Sequence, residues 1–366
     1  MYIKSVELSN FRNYEKEKIT FSKKTNILYG KNAQGKTNVL EAVSLFASGK
    51  SHRRAADKDL IKLGEDTAKI RIEFESEGCE KDAEIIISKG KKKFIKLCGA
   101  SLRRTSELLG VFGCVVFSPE ELSLINGAPE LRRNFTDLFL SSYKPLYYSN
   151  LKRYNKILKQ KNNLLKKADE KTSETLDIWN EEMASAGAKI TAYRKKFIKE
   201  LNPAADKAFY EITNAKEKIE IKYVPSVPCE SEDTDEIKNA LLSAMNKKKE
   251  AEMFLGTSVA GIHRDDFSFF INGENAKIYA SQGQQRTAVI ALKIAQSEII
   301  KEKNGEYPIF LLDDVMSELD FERRIYLAEK IMDKQVIITC TDKYKAENAK
   351  YFKVENGKVT EDGSCI

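Results

Sequence analysis

The sequence predicts an α/β protein: a P-loop nucleotide-binding domain made from both ends of the chain, with an α-helical domain inserted between them. Three observations carry this reading. "ILYGKNAQGKTNVLEAV" at residues 27–43 runs an apolar strand through a glycine turn into an amphipathic helix. "YPIFLLDDV" at residues 307–315 is an apolar strand that ends in two acids. Between them, from about residue 122 to 255, short alternating strands give way to long helical periodicities. The expected division is 1–122 for the N-terminal part of the nucleotide domain, 123–254 for the helical insertion, and 255–366 for the return to the first domain.

Each element has its own signal. "MYIKSVELSNF" alternates as a strand does and lacks the architecture of a signal peptide. "AKIRIEFE" and "AEIIISKGKKKFIKL" predict short strands, with a hairpin turning at Lys89-Gly90. "GCVVFSPEEL" is a compact strand ending at Pro119, where a helix starts. Trp179, Met183, Ala186, Ile190, Tyr193 and Phe197 recur at spacings of four and three, which predicts one packing seam of a helix pair. Leu151, Tyr154, Leu158 and Leu165 offer the facing helix. The repeat ends near "LNPAAD", too short for an extended coiled-coil arm. The acidic, proline-bearing "YVPSVPCESEDTDE" reads as a loop, with a further helix before "FLGTSVAGIHRDDFSFFING". Then "AVIALKIAQSEII" is a helix, "YPIFLLDDV" a strand, "RRIYLAEKI" a helix and "KQVIITCT" a strand.

Composition narrows the class. The chain has 366 residues, enough for two domains or one with a large insertion. No apolar run reaches the roughly 18–20 residues of a membrane span, so the expectation is a cytoplasmic protein without a membrane partner. Cys79, Cys98, Cys114, Cys229, Cys340 and Cys365 are scattered without a C-x-x-C pair, which argues for reduced thiols. With only His52 and His263, an ordinary zinc site is hard to assemble. The net charge of +7 is concentrated in "KGKKKFIK", in "LRR" at residues 102–104 and 131–133, and in "NKKKE". Such clusters suit a polyanion, and Lys91, Lys92, Lys93, Arg132 and Arg133 are the candidate DNA contacts. The competing reading is a solvated lysine face.

The motifs specify chemistry. "GKNAQGKT" fits G-x-x-x-x-G-K-[ST] without departure, so Gly30, Lys31, Asn32, Ala33, Gln34, Gly35, Lys36 and Thr37 form the candidate phosphate cradle. Gly30 and Gly35 allow the tight wrap that aims backbone N–H groups at the β-phosphate of a nucleotide. The helix beginning near Lys36 adds its positive end. Lys36 is expected to bridge β- and γ-phosphates, and the Thr37 hydroxyl to ligate Mg2+. Asp313 is the second candidate Mg2+ ligand, and Asp314 the candidate general base that orients the attacking water. In "YASQGQQRT", Ser281 is a good N-cap and Gly283 permits close backbone approach. Either this is a capped helix alone, or its end meets the γ-phosphate of another subunit.

Together these residues resemble the ATP-binding heads of the SMC-like branch of the ABC ATPases, with "SQGQQR", including Gln284, at the signature motif and "SELD" at the D-loop. The resemblance narrows to the RecF family through "LSNFRNY", "GKNAQGKTNVLEA", "SHR", "GIHRDDF", "YASQGQQRT" and "LLDDVMSELD", in that order. It implies a slow, DNA-stimulated ATPase that binds gapped or junction single- and double-stranded DNA as an ATP-dependent homodimer. It further implies a role in DNA repair, recombination and replication restart, with RecR- and RecO-type mediators that help load the RecA recombinase. The alternative is an SMC-type structural chromosome-maintenance ATPase, which the short seam disfavours. A transporter ATPase subunit would more readily carry Leu-Ser-Gly-Gly-Gln at its signature. Three departures stand out. The family's "GPHRDD" has Ile262 in place of proline, and His263 reads either as a site residue or as a turn histidine. No glutamine is assigned to the Q-loop near "FSPEEL". Thr339 and Thr341 stand where many ABC enzymes carry a switch histidine, which implies weak γ-phosphate sensing.

Overall fold

A computed structural model of the chain describes residues 1–167, 172–346 and 348–363. Cys365 lies outside the described residues, and the other five cysteines are free thiols. The described chain divides into two compact units: residues 1–123, 211–215 and 286–366, and residues 124–210 with 216–285. The expected return at residue 255 therefore falls inside the second unit.

The first unit opens with β1 (Tyr2–Phe11), β2 (Tyr14–Thr20) and β3 (Thr25–Tyr29), followed by α1 (Lys36–Ser48). Next come β4 (Thr67–Ser76), β5 (Cys79–Ser88), β6 (Phe94–Leu97), β7 (Ala100–Leu102), β8 (Cys114–Phe117) and the short α2 (Pro119–Leu122). Strict alternation puts Ala68, Ile70, Ile72 and Phe74 of β4 in the core, with charged neighbours outward. The antiparallel sheet runs β2-β1-β4-β5-β6-β7.

The second unit holds α3 (Pro129–Tyr143), α4 (Pro145–Leu165) and most of α5 (Thr172–Ile212). Of the expected seam on α5, Met183, Ala186, Ile190 and Phe197 are buried, and Tyr193 meets Tyr147 of α4 edge-on at 5.8 Å. On α4 the buried face is Tyr147, Tyr154, Ile157, Lys161 and Leu165, with Leu151 and Leu158 only half-buried. The helix does not stop at "LNPAAD". It passes through Pro203 because Leu201, Ala205, Ala208 and Phe209 remain buried beyond it.

The stretch read as helical also contains a strand, β9 (Ile219–Val224), before α6 (Thr234–Lys247) and α7 (Lys249–Leu255). Its alternating Ile219 and Ile221 face inward, and it pairs antiparallel with β10 (Asp266–Ile271), which also pairs with β11 (Glu274–Asn275). This three-stranded sheet joins residues 266–275 to the second unit, which is why the boundary lies past 255. The short α8 (Ala276–Tyr279) precedes α9 (Gln282–Asn304).

The first unit then resumes with β12 (Ile309–Asp313), α10 (Val315–Glu318), α11 (Phe321–Ile331), β13 (Val336–Cys340), β14 (Lys350–Glu355) and β15 (Lys358–Asp362). Its second sheet has the order β15-β14-β3-β13-β12-β8, parallel except for the edge strand β15. β12 and β13 are buried at every position, as a strand covered on both faces must be. β13 thus stands between the strand that ends in the glycine loop and the strand that ends in Asp313. No helix among the described residues is long and apolar enough to cross a membrane.

Candidate nucleotide-binding site

The loop leaving β3 is shaped by positions that reject a side chain. Gly30 has φ +150°, and a Cβ there would lie 2.3 Å from the Val354 carbonyl oxygen. Gly35 has φ +117°, and a Cβ would meet the Asn13 amide and the Tyr14 hydroxyl within 3 Å. Those neighbours support the loop: Asn13 Nδ2 donates to the Gln34 carbonyl at 2.7 Å, and Tyr14 Oη to the Gly35 carbonyl at 3.0 Å. From the other side, the Asn356 N–H donates to Gln34 Oε1 at 2.6 Å. The first turn of α1 contains no acid, so its positive end is not cancelled locally.

Lys36 is buried, and its ammonium donates to the loop's own carbonyls, Gly30 at 2.5 Å and Lys31 at 2.9 Å. Burial lowers the Lys36 pKa against the opposing pull of Asp314 and Asp313. Next to it, Asp313 Oδ1 accepts hydrogen bonds from two hydroxyls, Thr37 Oγ1 and Thr339 Oγ1, each at 2.7 Å. Thr339 also accepts the Asp314 N–H at 3.0 Å. Asp314 sits in the left-handed region with φ 53°, a conformation Asp tolerates better than most residues. Its carbonyl accepts from Ser317 Oγ at 2.7 Å. Thr339 therefore holds the Asp313 carboxylate and the Asp314 backbone at once. Thr341, by contrast, bonds to its neighbour Asp342.

A second layer was visible in sequence only as unexplained blocks. Arg12 grips the fully buried Glu41 of α1 through two bonds of 2.8 Å, and Ser51 Oγ donates to the same carboxylate at 2.5 Å. Burial by itself raises the Glu41 pKa, but the bonds from Arg12 and Ser51 and the Arg12 charge outweigh it and hold it low. Ser44 Oγ donates to the Glu41 carbonyl at 2.9 Å, so His52 Nδ1, 2.8 Å from that hydroxyl, must be the N–H donor. Burial pushes the His52 pKa down against the pull of Glu121 and Glu41.

Ser281, Gly283 and Gln284 belong to the second unit. There Ser281 Oγ accepts the Gln284 N–H at 3.2 Å, while Gln284 Oε1 accepts the Ser281 N–H at 2.9 Å, a reciprocal capping box. In the first unit, Arg286 donates to the Glu318 carbonyl at 2.6 Å and to its carboxylate at 2.8 Å, tying that helix to "SELD".

The basic candidates need correction. Lys93 is not a free cation: it pairs with Asp57 at 2.8 Å and donates to the Gly49 carbonyl at 2.6 Å. Arg132 is buried, forked onto the Asp266 carboxylate at 2.7 and 2.9 Å, and also donates to the carbonyls of Leu124, Ile125 and Gly127. Arg133 donates to the Asp265 carbonyl at 2.7 Å. The turn of α3 aims Arg132 inward, so its donors serve the interior of the second unit. Lys91 and Lys92 remain exposed. His263 is a turn residue: Nε2 lies 3.2 Å from the Ser258 carbonyl and must donate to it, leaving Nδ1 to accept the Tyr154 hydroxyl at 2.8 Å.

Comparison with known proteins gives the family. The family model for the RecF/RecN/SMC N-terminal domain matches residues 2–361. The chain is 43% identical to the DNA replication and repair protein RecF of Acetivibrio thermocellus over 366 residues, covering 98% of this chain and 99% of that one. It is 41% identical to the same protein of Clostridium tetani over 367 residues, 99% of this chain and 100% of the other. Among solved structures, the recombination mediator protein RecF-ATP in the RecFOR pathway matches with a TM-score of 0.93 at 37% identity, covering 99% of this chain and 98% of that chain. The SMC head bound to the C-terminal winged-helix domain of ScpA shares the fold alone, with a TM-score of 0.56 at 16% identity over 99% of this chain and 97% of that chain.

Proposed function

The chain belongs to the RecF family of DNA replication and repair proteins, and we propose that it acts there as an ATP-gated, DNA-binding dimer. It is an ABC-type ATPase, and ATP hydrolysis serves as a slow, DNA-stimulated switch rather than a motor. The observation that carries this reading is Asp313 Oδ1 held between Thr37 and Thr339, beside a lysine bonded to carbonyls of its own loop. When ATP enters, Lys36 exchanges the Gly30 and Lys31 carbonyls for β- and γ-phosphate oxygens. Gly30 to Gly35 present backbone N–H groups to the same phosphates.

Thr37 and Asp313 suit magnesium. Two neighbouring ligands of an octahedral Mg2+ at about 2.0–2.1 Å lie about 2.9 Å apart, close to the 2.7 Å between these oxygens. These two residues would hold the ion, which would supply charge neutralisation to the phosphates during transfer. Asp314, fixed through its N–H by Thr339, orients the attacking water as general base.

The helix end formed by Ser281, Gly283 and Gln284 supports composite sites, each completed by a second copy of the chain. ATP then acts as the adhesive, and hydrolysis removes the group both copies hold. The RecFOR pathway named for the solved relative supports RecR- and RecO-type mediators as partners, and through them RecA loading on gapped or junction DNA.

A mixing experiment tests the dimer. Lys36→Ala and Ser281→Arg subunits, each inactive alone, form a mixed dimer with one site damaged twice and one intact. Activity is expected to return on mixing. A wild-type protein that sediments as a monomer with ATP bound overturns the composite site. ATP turnover that gapped DNA leaves unchanged removes the DNA-stimulated switch.

A further inference from the structure

One helix carries a charge pattern that the nucleotide site does not use. Over the whole chain acids nearly match bases, 55 to 62, yet between Leu138 and Lys167 there is no Asp or Glu and there are eight Lys or Arg residues. Two of the eight are committed. Lys161 is fully buried against Glu252, and Arg153 pairs with Glu182. Lys152, Lys156, Lys159 and Lys166 are exposed and have no ion pair among the described residues.

These four, with Lys166 as the C-cap of α4 in helical conformation, follow spacings of four, three and seven. At 3.6 residues per turn they lie within an arc of about 80° and span about 21 Å along the helix. Exposed Asn163 fills the gap in the stripe. Tyr147, Tyr154, Ile157, Lys161 and Leu165 occupy the opposite side and are buried in the second unit. The helix is therefore anchored by one face and presents on the other a cationic line with no ion pair among the described residues.

We propose that this stripe of α4 binds the phosphate backbone of duplex DNA, a proposal that rests on the DNA-binding reading above and gives it a surface. Over about 21 Å a duplex displays roughly 12 phosphates, more than enough for four lysines. A single strand is the poorer fit, because Asn155, Gln160 and Asn163 between the lysines offer no aromatic ring for a base to stack on. A lipid surface is poorer still. An interfacial helix needs a free apolar face, and here that face is buried, with Leu146 near the helix start the one strongly exposed large apolar side chain.

The test compares wild type with Lys152→Gln/Lys156→Gln/Lys159→Gln/Lys166→Gln, using a labelled short duplex, a salt series and saturating ATP. All four positions are exposed, and unchanged ATP affinity confirms folding. Losing four phosphate contacts should make the slope of log affinity against log salt shallower by about 3–4 and weaken binding more than about tenfold. The pair Lys91→Gln/Lys92→Gln is the control and should change the slope by less than about 0.5, against about 1.8 if both lysines held phosphates. If wild type binds duplex and the fourfold variant binds equally with the same slope, the stripe is refuted while DNA binding stands. If wild type binds no DNA, the DNA reading falls and the stripe falls with it. Intact duplex binding together with lost binding to phosphatidylserine vesicles would reassign the face to lipid.

Discussion

The Thr37 hydroxyl and the Asp313 carboxylate, 276 residues apart in the chain, meet at 2.7 Å. The contact exists because β3 and β12 flank β13 in one parallel sheet and release their C-terminal ends on the same side. Asp313→Asn keeps the shape and hydrogen bonding but removes the charge. ATP turnover is expected to fall about 100-fold, equivalent to about 2.7 kcal/mol of transition-state stabilisation. Steady-state hydrolysis over a magnesium titration checks this, and wild-type rates would remove Asp313 from the site.

Asp314→Asn should separate binding from chemistry. The backbone N–H that bonds Thr339 is retained, so nucleotide affinity is expected to stay within about threefold while turnover drops at least about tenfold. Binding of labelled ATP and single-turnover hydrolysis measure the two effects. A parallel loss of affinity would make Asp314 a binding residue.

Arg12→Ala should destabilise the first unit. It leaves the Glu41 carboxylate buried with its strongest partner gone, a change that costs about 3–5 kcal/mol. Glu41→Gln combined with Arg12→Ala removes the stranded charge and is expected to recover part of the loss. Denaturant melts of both variants decide, and equal stability of the single and double variants would deny the pair this role.

Stability should depend on pH through His263. Burial pushes its pKa from the ordinary 6.5 down to about 4, with Arg264 adding to the shift and the bond to Ser258 opposing it. Between those values the folded protein binds fewer protons than the unfolded chain. Stability is thus fully present above about pH 6.5 and declines as pH falls toward about 4, by at most about 3 kcal/mol. Thermal melts at several pH values should show this component in wild type and not in His263→Gln. Parallel profiles for the two proteins would rule it out.

The phosphate loop and the Asp-Asp strand were legible because their signals are local: glycine spacing, apolar runs and a lysine at fixed offset. The support around them was not. Nothing in "LSNFRNY" says that Arg12 reaches Glu41 or that Asn13 holds Gln34, because those contacts arise from sheet topology rather than periodicity. Charge clustering misled at Arg132 and Lys93. A run of basic residues gives no sign of which member the helix turn or hairpin points inward. β9 was missed because six alternating residues lay inside a strongly helical stretch.

The interleaving of the parallel sheet also governs how the protein is born. β3, with Ile27 and Leu28, has β13 and β14 as its neighbours, and both lie more than three hundred residues downstream. At about 5–20 residues per second, roughly 15–65 seconds of synthesis separate β3 from β14. The antiparallel sheet of β1, β2 and β4 to β7 pairs locally and can form early in that interval, while β3 waits with both edges unpaired. A ribosome stalled before residue 350 therefore holds a chain whose glycine loop lacks the Val354 and Asn356 contacts that shape it. Nucleotide affinity in nascent chains should arise late and abruptly, once β14 emerges.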